Sequence, residues 1–71
     1  MKVTLEQTEK LLQGEHTFSQ LGFSMMLTRL KVMYKKDSSP TFVQTAMGEI
    51  NAFLDKFKML MVKDYLIIAE L

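Results

Sequence analysis

The stretch VQTAMGEINAFLDKFKMLMVKDYLIIAEL, residues 43–71, decides how this chain is read. Val43, Met47, Ile50, Leu54, Phe57, Met61, Ile68 and Leu71 recur at alternating spacings of four and three, and Asp64 alone breaks the seam. Such a repeat holds one face of a helix toward a partner along its whole length, at about 1.5 Å per residue, so roughly 43 Å of helix seeks burial. A third column, Ala46, Phe53, Leu60 and Ile67, widens the stripe beyond that of a two-stranded zipper. The opposite side carries Gln44, Thr45, Asn51, Asp55, Lys56 and Lys58. This is the pattern of a core-facing bundle helix with more than one neighbour.

Working outward, Asp37-Ser38-Ser39-Pro40 is a turn followed by a helix start, with Ser39 as the cap and Pro40 at the first helical position. The spacing predicts a helix from residue 40 to about 61, with continuation to about 70 the preferred reading of the tail. Tyr65-Leu66-Ile67-Ile68 also has strand composition, and its expected strand partner is Met1 to Leu5. Before the turn, a helix is expected at residues 18–36, opened by the capping pattern Thr17-Phe18-Ser19-Gln20 and closed by Lys35 and Lys36, which suit the negative end of a helix dipole. A shorter helix at residues 5–13 starts at Thr4-Leu5-Glu6-Gln7, a second capping pattern, and stops at Gly14, placed for a left-handed C-terminal closure.

The fold class expected is therefore all-α: an antiparallel helical hairpin with a short N-terminal helix, forming a single domain over residues 1–71. A chain of 71 residues has a small core and a thin margin of stability. Small scaffolds strengthen such cores with disulfides, metals or self-association. With no cysteine and one histidine, His16, self-association is the remaining route. The second helix points the same way, because its apolar arc is too broad for one partner. Phe23, Met26, Leu27, Leu30, Met33 and Tyr34 form one side of it, and Phe18, Leu21, Met25 and Val32 form the other. The first group is expected to face the third helix and the second to pack on the first helix, on a second copy of the chain, or on both; because the first helix offers too few apolar residues to cover it, Phe18, Leu21, Met25 and Val32 are the candidate interface of a homodimer whose core resembles a four-helix bundle.

Net charge is +1, too small for a global field toward nucleic acid or anionic lipid. Its distribution is uneven: residues 16–36 carry Arg29, Lys31, Lys35 and Lys36 and no acid, whereas residues 37–55 carry Asp37, Glu49 and Asp55 and no base. Folding one segment on the other brings opposite signs together. Arg29 lies inside the apolar arc of the second helix and must pair, snorkel out or be kept for a partner; of these, an Arg29–Glu49 ion pair setting the hairpin register is the expected reading. Lys31, Lys35 and Lys36 are the weak candidates for nucleic-acid contact.

Catalytic chemistry has little to build on. There is no Cys, a single His and no glycine-rich phosphate loop, so neither a metal site, a nucleophilic triad nor a cofactor is expected, and no small-molecule substrate is indicated. Glu6 and Glu9 read as a solvated face. Seven Met and five Phe make a soft apolar surface that is mostly core and partly suited to docking helices. The N-terminus lacks the apolar run of a signal peptide and no run approaches the ~20 residues of a membrane span, which predicts a cytoplasmic protein. The function expected is a non-enzymatic interaction protein, an adaptor, inhibitor or regulator that binds itself and another protein. The alternative is a small nucleic-acid-binding regulator using the basic end of the second helix.

Overall fold

A computed structural model describes residues 3–15, 18, 20–63 and 66–69, with side chains through residue 59. The packed body is all-α and consists of α1 (Leu5–Gln13), α2 (Leu21–Lys36) and α3 (Pro40–Lys56). A two-stranded antiparallel hairpin follows, β1 (Met59–Lys63) and β2 (Leu66–Ala69).

α1 has the bounds its capping box dictates. The Thr4 hydroxyl accepts from the Gln7 N–H, and the Gln7 side chain accepts from the Thr4 N–H, so two donors without helical partners are satisfied reciprocally. The C-terminus closes differently from the sequence expectation. Gly14 is extended, at φ −92° and ψ 176°, rather than left-handed. Its N–H donates to the Lys10 carbonyl, and its own carbonyl accepts from Lys31 Nζ on α2. An ammonium from a neighbouring helix thus satisfies the carbonyl of the capping residue at the negative end of the helix.

α2 begins at Leu21, three residues later than the capping pattern suggests. Gln20 is the cap, and its side-chain oxygen accepts from the Phe23 N–H at 2.6 Å instead of reaching back toward residue 17. Thr17, Ser19 and His16 lie outside the described residues. The turn before α3 forms as its residues require: Ser39 Oγ accepts from the Phe42 N–H, Pro40 sits in the first turn, and Asp37 Oδ1 accepts from the Ser39 N–H. The hydrogen bonds from the Ser39 side chain and backbone hold the Asp37 carboxyl below its ordinary range.

Contacts between α2 and α3 run in opposite chain directions. The Tyr34 and Phe42 rings meet near the turn, Arg29 meets Glu49 midway, and the Phe23 ring meets Phe53 edge-on further along. α1 lies across both helices, and its buried Leu11 and Leu12 join Phe23, Leu27, Leu30, Ala46, Ile50 and Leu54 in one core. Phe18 packs edge-to-face on Phe23, with ring centroids 5.0 Å apart.

The N-terminal segment is tied down by a residue assigned from sequence to the solvated face of α3. Asn51 Oδ1 accepts from the Val3 N–H at 2.8 Å, and Asn51 Nδ2 donates to the Val3 carbonyl at 3.3 Å. The amide thereby pairs both backbone polar groups of a residue whose side chain is buried in the core. Asn51→Ala is expected to cost about 2 kcal/mol, two hydrogen bonds at about 1 kcal/mol each, measured by urea unfolding. Unchanged stability would show the tether to be idle.

The end of α3 overturns the expectation of helix to residue 61 or 70. The helix stops at Lys56, Phe57 caps it, and Lys58 takes a left-handed backbone with φ 52°. The chain then reverses into β1, whose partner is β2 and not the segment Met1 to Leu5. Met59 pairs with Ala69, Leu60 with Ile68, Met61 with Ile67 and Lys63 with Leu66, with a register shift between Met61 and Lys63. Asp64 and Tyr65 lie outside the described residues. A two-stranded hairpin is marginal in isolation, and here the buried Met59 anchors its first strand to the helical core. A left-handed lysine costs about 1 kcal/mol more than glycine does in that conformation, so Lys58→Gly is expected to stabilise the fold by up to about 1 kcal/mol. Destabilisation in a thermal melt would contradict this reading of the helix stop.

Candidate interaction face

α2 places its apolar residues on two sides, as its broad arc implies. Phe23, Leu27 and Leu30 are buried, with Met26 and Tyr34 packed against them. On the outer side, Leu21 is 72% exposed, Met25 64% and Val32 53%. Phe18, the fourth candidate, is half-buried and belongs to the edge of the core. Leu21, Met25, Thr28 and Val32 follow one another at spacings of four, three and four, which places them in a single row along the helix. Two shallow grooves flank the row and share Thr28: one is lined by Leu21, Ser24, Met25 and Arg29, the other by Leu12, Gly14, Lys31 and Val32.

Charge around this face is mostly basic, but Glu15, just beyond α1, lines the second groove with Lys31 and Lys35. Arg29 forms an ion pair with Glu49 of α3, and the two side chains are 53% and 38% exposed. At that exposure the pair contributes no more than about 1 kcal/mol, so it orients Arg29 beside the stripe more than it holds the fold together. The guanidinium also donates to Met33 Sδ, along the next turn of α2. Lys31 is half-buried and spent on the Gly14 carbonyl, while Lys35 and Lys36 are exposed. The three candidate nucleic-acid contacts are therefore not one free cluster.

Elsewhere, a cleft between α1 and the start of α3 is lined by Leu5, Glu9, Ser38, Pro40, Val43 and Gln44, of which Glu9 alone carries charge. Among the described residues no three His, Asp or Glu side chains come together as metal ligands would. No helix among them is long and apolar enough to cross a membrane. The sequence had pointed to Leu21, Met25 and Val32 through the breadth of the α2 arc. It did not separate them from Phe18, because distinguishing edge from face needed the position of Phe23. No family model, no curated protein and no solved structure matches this chain, so its functional reading rests on the α2 face itself.

Proposed function

We propose that the chain is a non-enzymatic interaction protein, an adaptor, inhibitor or regulator, that self-associates and presents helical surface to other proteins. The observation that carries this reading is the row Leu21, Met25 and Val32, three large apolar side chains more than half exposed on one helix face. Apolar surface costs roughly 25 cal/mol for each Å² left in water, and a 71-residue chain has little stability to offset it. A row of this kind is expected to be covered by another polypeptide. Self-association has a direct signature, because a partner that binds only the folded chain makes the melting temperature rise with protein concentration. Thermal unfolding followed from micromolar to millimolar protein is expected to show that rise. A melting temperature independent of concentration would remove self-association from the proposal.

A further inference from the structure

Resting for its consequence on that reading of the α2 face, we infer that the Met25 thioether is a modification site: hydrogen peroxide oxidises it to the sulfoxide ahead of every other methionine whose side chain is described, and the sulfoxide weakens association through this face. The burial of the sulfurs and the placement of hydrogen-bond donors around them point to Met25.

Burial sorts the methionines whose side chains are described. Met59 is buried, and Met26 and Met47 are partly buried against the core. Met25 and Met33 remain, 64% and 44% exposed. A thioether is oxidised through a sulfur lone pair, so what each sulfur touches decides between these two. Arg29 Nη1 donates to Met33 Sδ at 3.8 Å, and the ion pair with Glu49 holds the guanidinium in that place. A cationic donor draws electron density from the sulfur and has to be shed or bypassed as oxygen approaches. Among the described residues no donor reaches the Met25 sulfur. Met25 lines a shallow groove with Leu21, Ser24, Thr28 and Arg29, and the three polar side chains there are committed elsewhere. Ser24 Oγ donates to the Phe18 carbonyl, Thr28 Oγ1 to the Ser24 carbonyl, and Arg29 to Met33 and Glu49. The most exposed of the described thioethers is thus also one whose lone pairs are open to solvent.

In the reaction a Met25 lone pair attacks one peroxide oxygen, and the S–O bond forms as the O–O bond breaks. The proton on the transferred oxygen passes to the departing hydroxide, which leaves as water. Sulfur is oxidised and peroxide is reduced. The product is a polar, chiral sulfoxide between Leu21 and Val32, inside the exposed row of α2. Stereospecific reductases restore the thioether. Covering the sulfoxide without a hydrogen-bond partner costs association, whereas the uncovered chain keeps it in water at no such cost. Peroxide therefore reacts with the uncovered chain and holds it uncovered.

The natural chain has no cysteine to compete for peroxide. Diluted until light scattering gives the 8.2 kDa monomer, it is treated with hydrogen peroxide, and each methionine is followed over time by peptide mass spectrometry. Met25 is expected to oxidise at least about threefold faster than Met33, with Met26, Met47 and Met59 slower still. Arg29→Leu is expected to bring the Met33 rate close to that of Met25; the Arg29 side chain is 53% exposed, so the core is untouched. Met33 oxidised as fast as Met25 in the natural chain, or a Met33 rate unmoved by Arg29→Leu, would overturn the site whatever the state of association. At a concentration where the natural chain is dimeric, the peroxide-treated chain is expected to associate at least about tenfold more weakly, and treated Met25→Leu, without the thioether, to associate as before treatment. Equal association of the natural chain before and after oxidation, or equal weakening of Met25→Leu, would overturn the effect on the face while self-association stands. A natural chain monomeric at every concentration would overturn self-association and that effect with it, but not the order of oxidation.

Discussion

Phe23→Ala is expected to lower the melting temperature by at least about 12 °C, the largest loss for any single side chain in this fold. Phe23 is fully buried, takes the edge of Phe18 at 5.0 Å and meets Phe53 at 5.7 Å, and lies where α2 joins the core shared with α1 and α3. Removing a buried phenyl ring costs about 3–5 kcal/mol, from lost transfer energy and from the cavity left behind. Each kcal/mol moves the midpoint of a domain this small by about 4–8 °C. Whole domains have only about 5–15 kcal/mol of stability, and small ones sit at the lower end, so the variant approaches global unfolding. Met33→Ala, on the same helix but 44% exposed, is expected to change stability by less than about 0.5 kcal/mol. Equal melting temperatures for the Phe23 variant and the natural chain, by circular dichroism, would mean that the core is not centred where the ring contacts place it.

The second large effect falls on association and leaves the fold alone. Met25 is 64% exposed in one chain, so Met25→Lys keeps a good helix former in place and creates no cavity. In the paired state the same substitution brings an ammonium into the contact, one helical turn from Arg29, once from each copy. Two poorly compensated charges per dimer are expected to weaken association by at least about a hundredfold, near 2.7 kcal/mol. Sedimentation equilibrium measures the association, and a melt at low concentration checks that the monomer is intact. Association equal to that of the natural chain would exclude Met25 from the contact.

The contrast between these two residues follows from how much of the fold is local. The bounds of α1 were legible, because a capping box names its own start through partners three positions apart; its C-terminal closure was not, since Lys31 lies 17 positions from Gly14. The start of α3 was equally plain, since Ser39 and Pro40 act on the turn they belong to. The side of α2 that faces the core also followed from periodicity, through Phe23, Leu27 and Leu30. What sequence hid was non-local or atypical. Asn51 sits on the polar face of its helix, and only a partner 48 positions away, Val3, makes it structural. Gln20 is an uncommon cap, so the better-known pattern at Thr17 drew the boundary three residues early.

The end of α3 is the most instructive departure. The seam spacing runs on to Leu71, and helix was its natural continuation. The decisive residue is Lys58, held at φ 52°, and lysine gives no warning of a left-handed backbone. Two signals of the hairpin were nonetheless present: the break at Asp64, and Val62, Tyr65, Ile67 and Ile68, types that favour strands. The outer face of α2 was legible only as surplus, an arc wider than its partners could cover. Its three exposed residues emerged once α1 and α3 had taken their share.

The central claim is that this surplus is covered by a second copy of the chain, and molar mass by size exclusion with light scattering tests it most directly. Measured from micromolar to millimolar protein, the natural chain is expected to reach twice its 8.2 kDa mass, and the Met25→Lys variant to remain at 8.2 kDa. A folded 8.2 kDa natural chain at every concentration would contradict the account and leave the α2 face to a different protein.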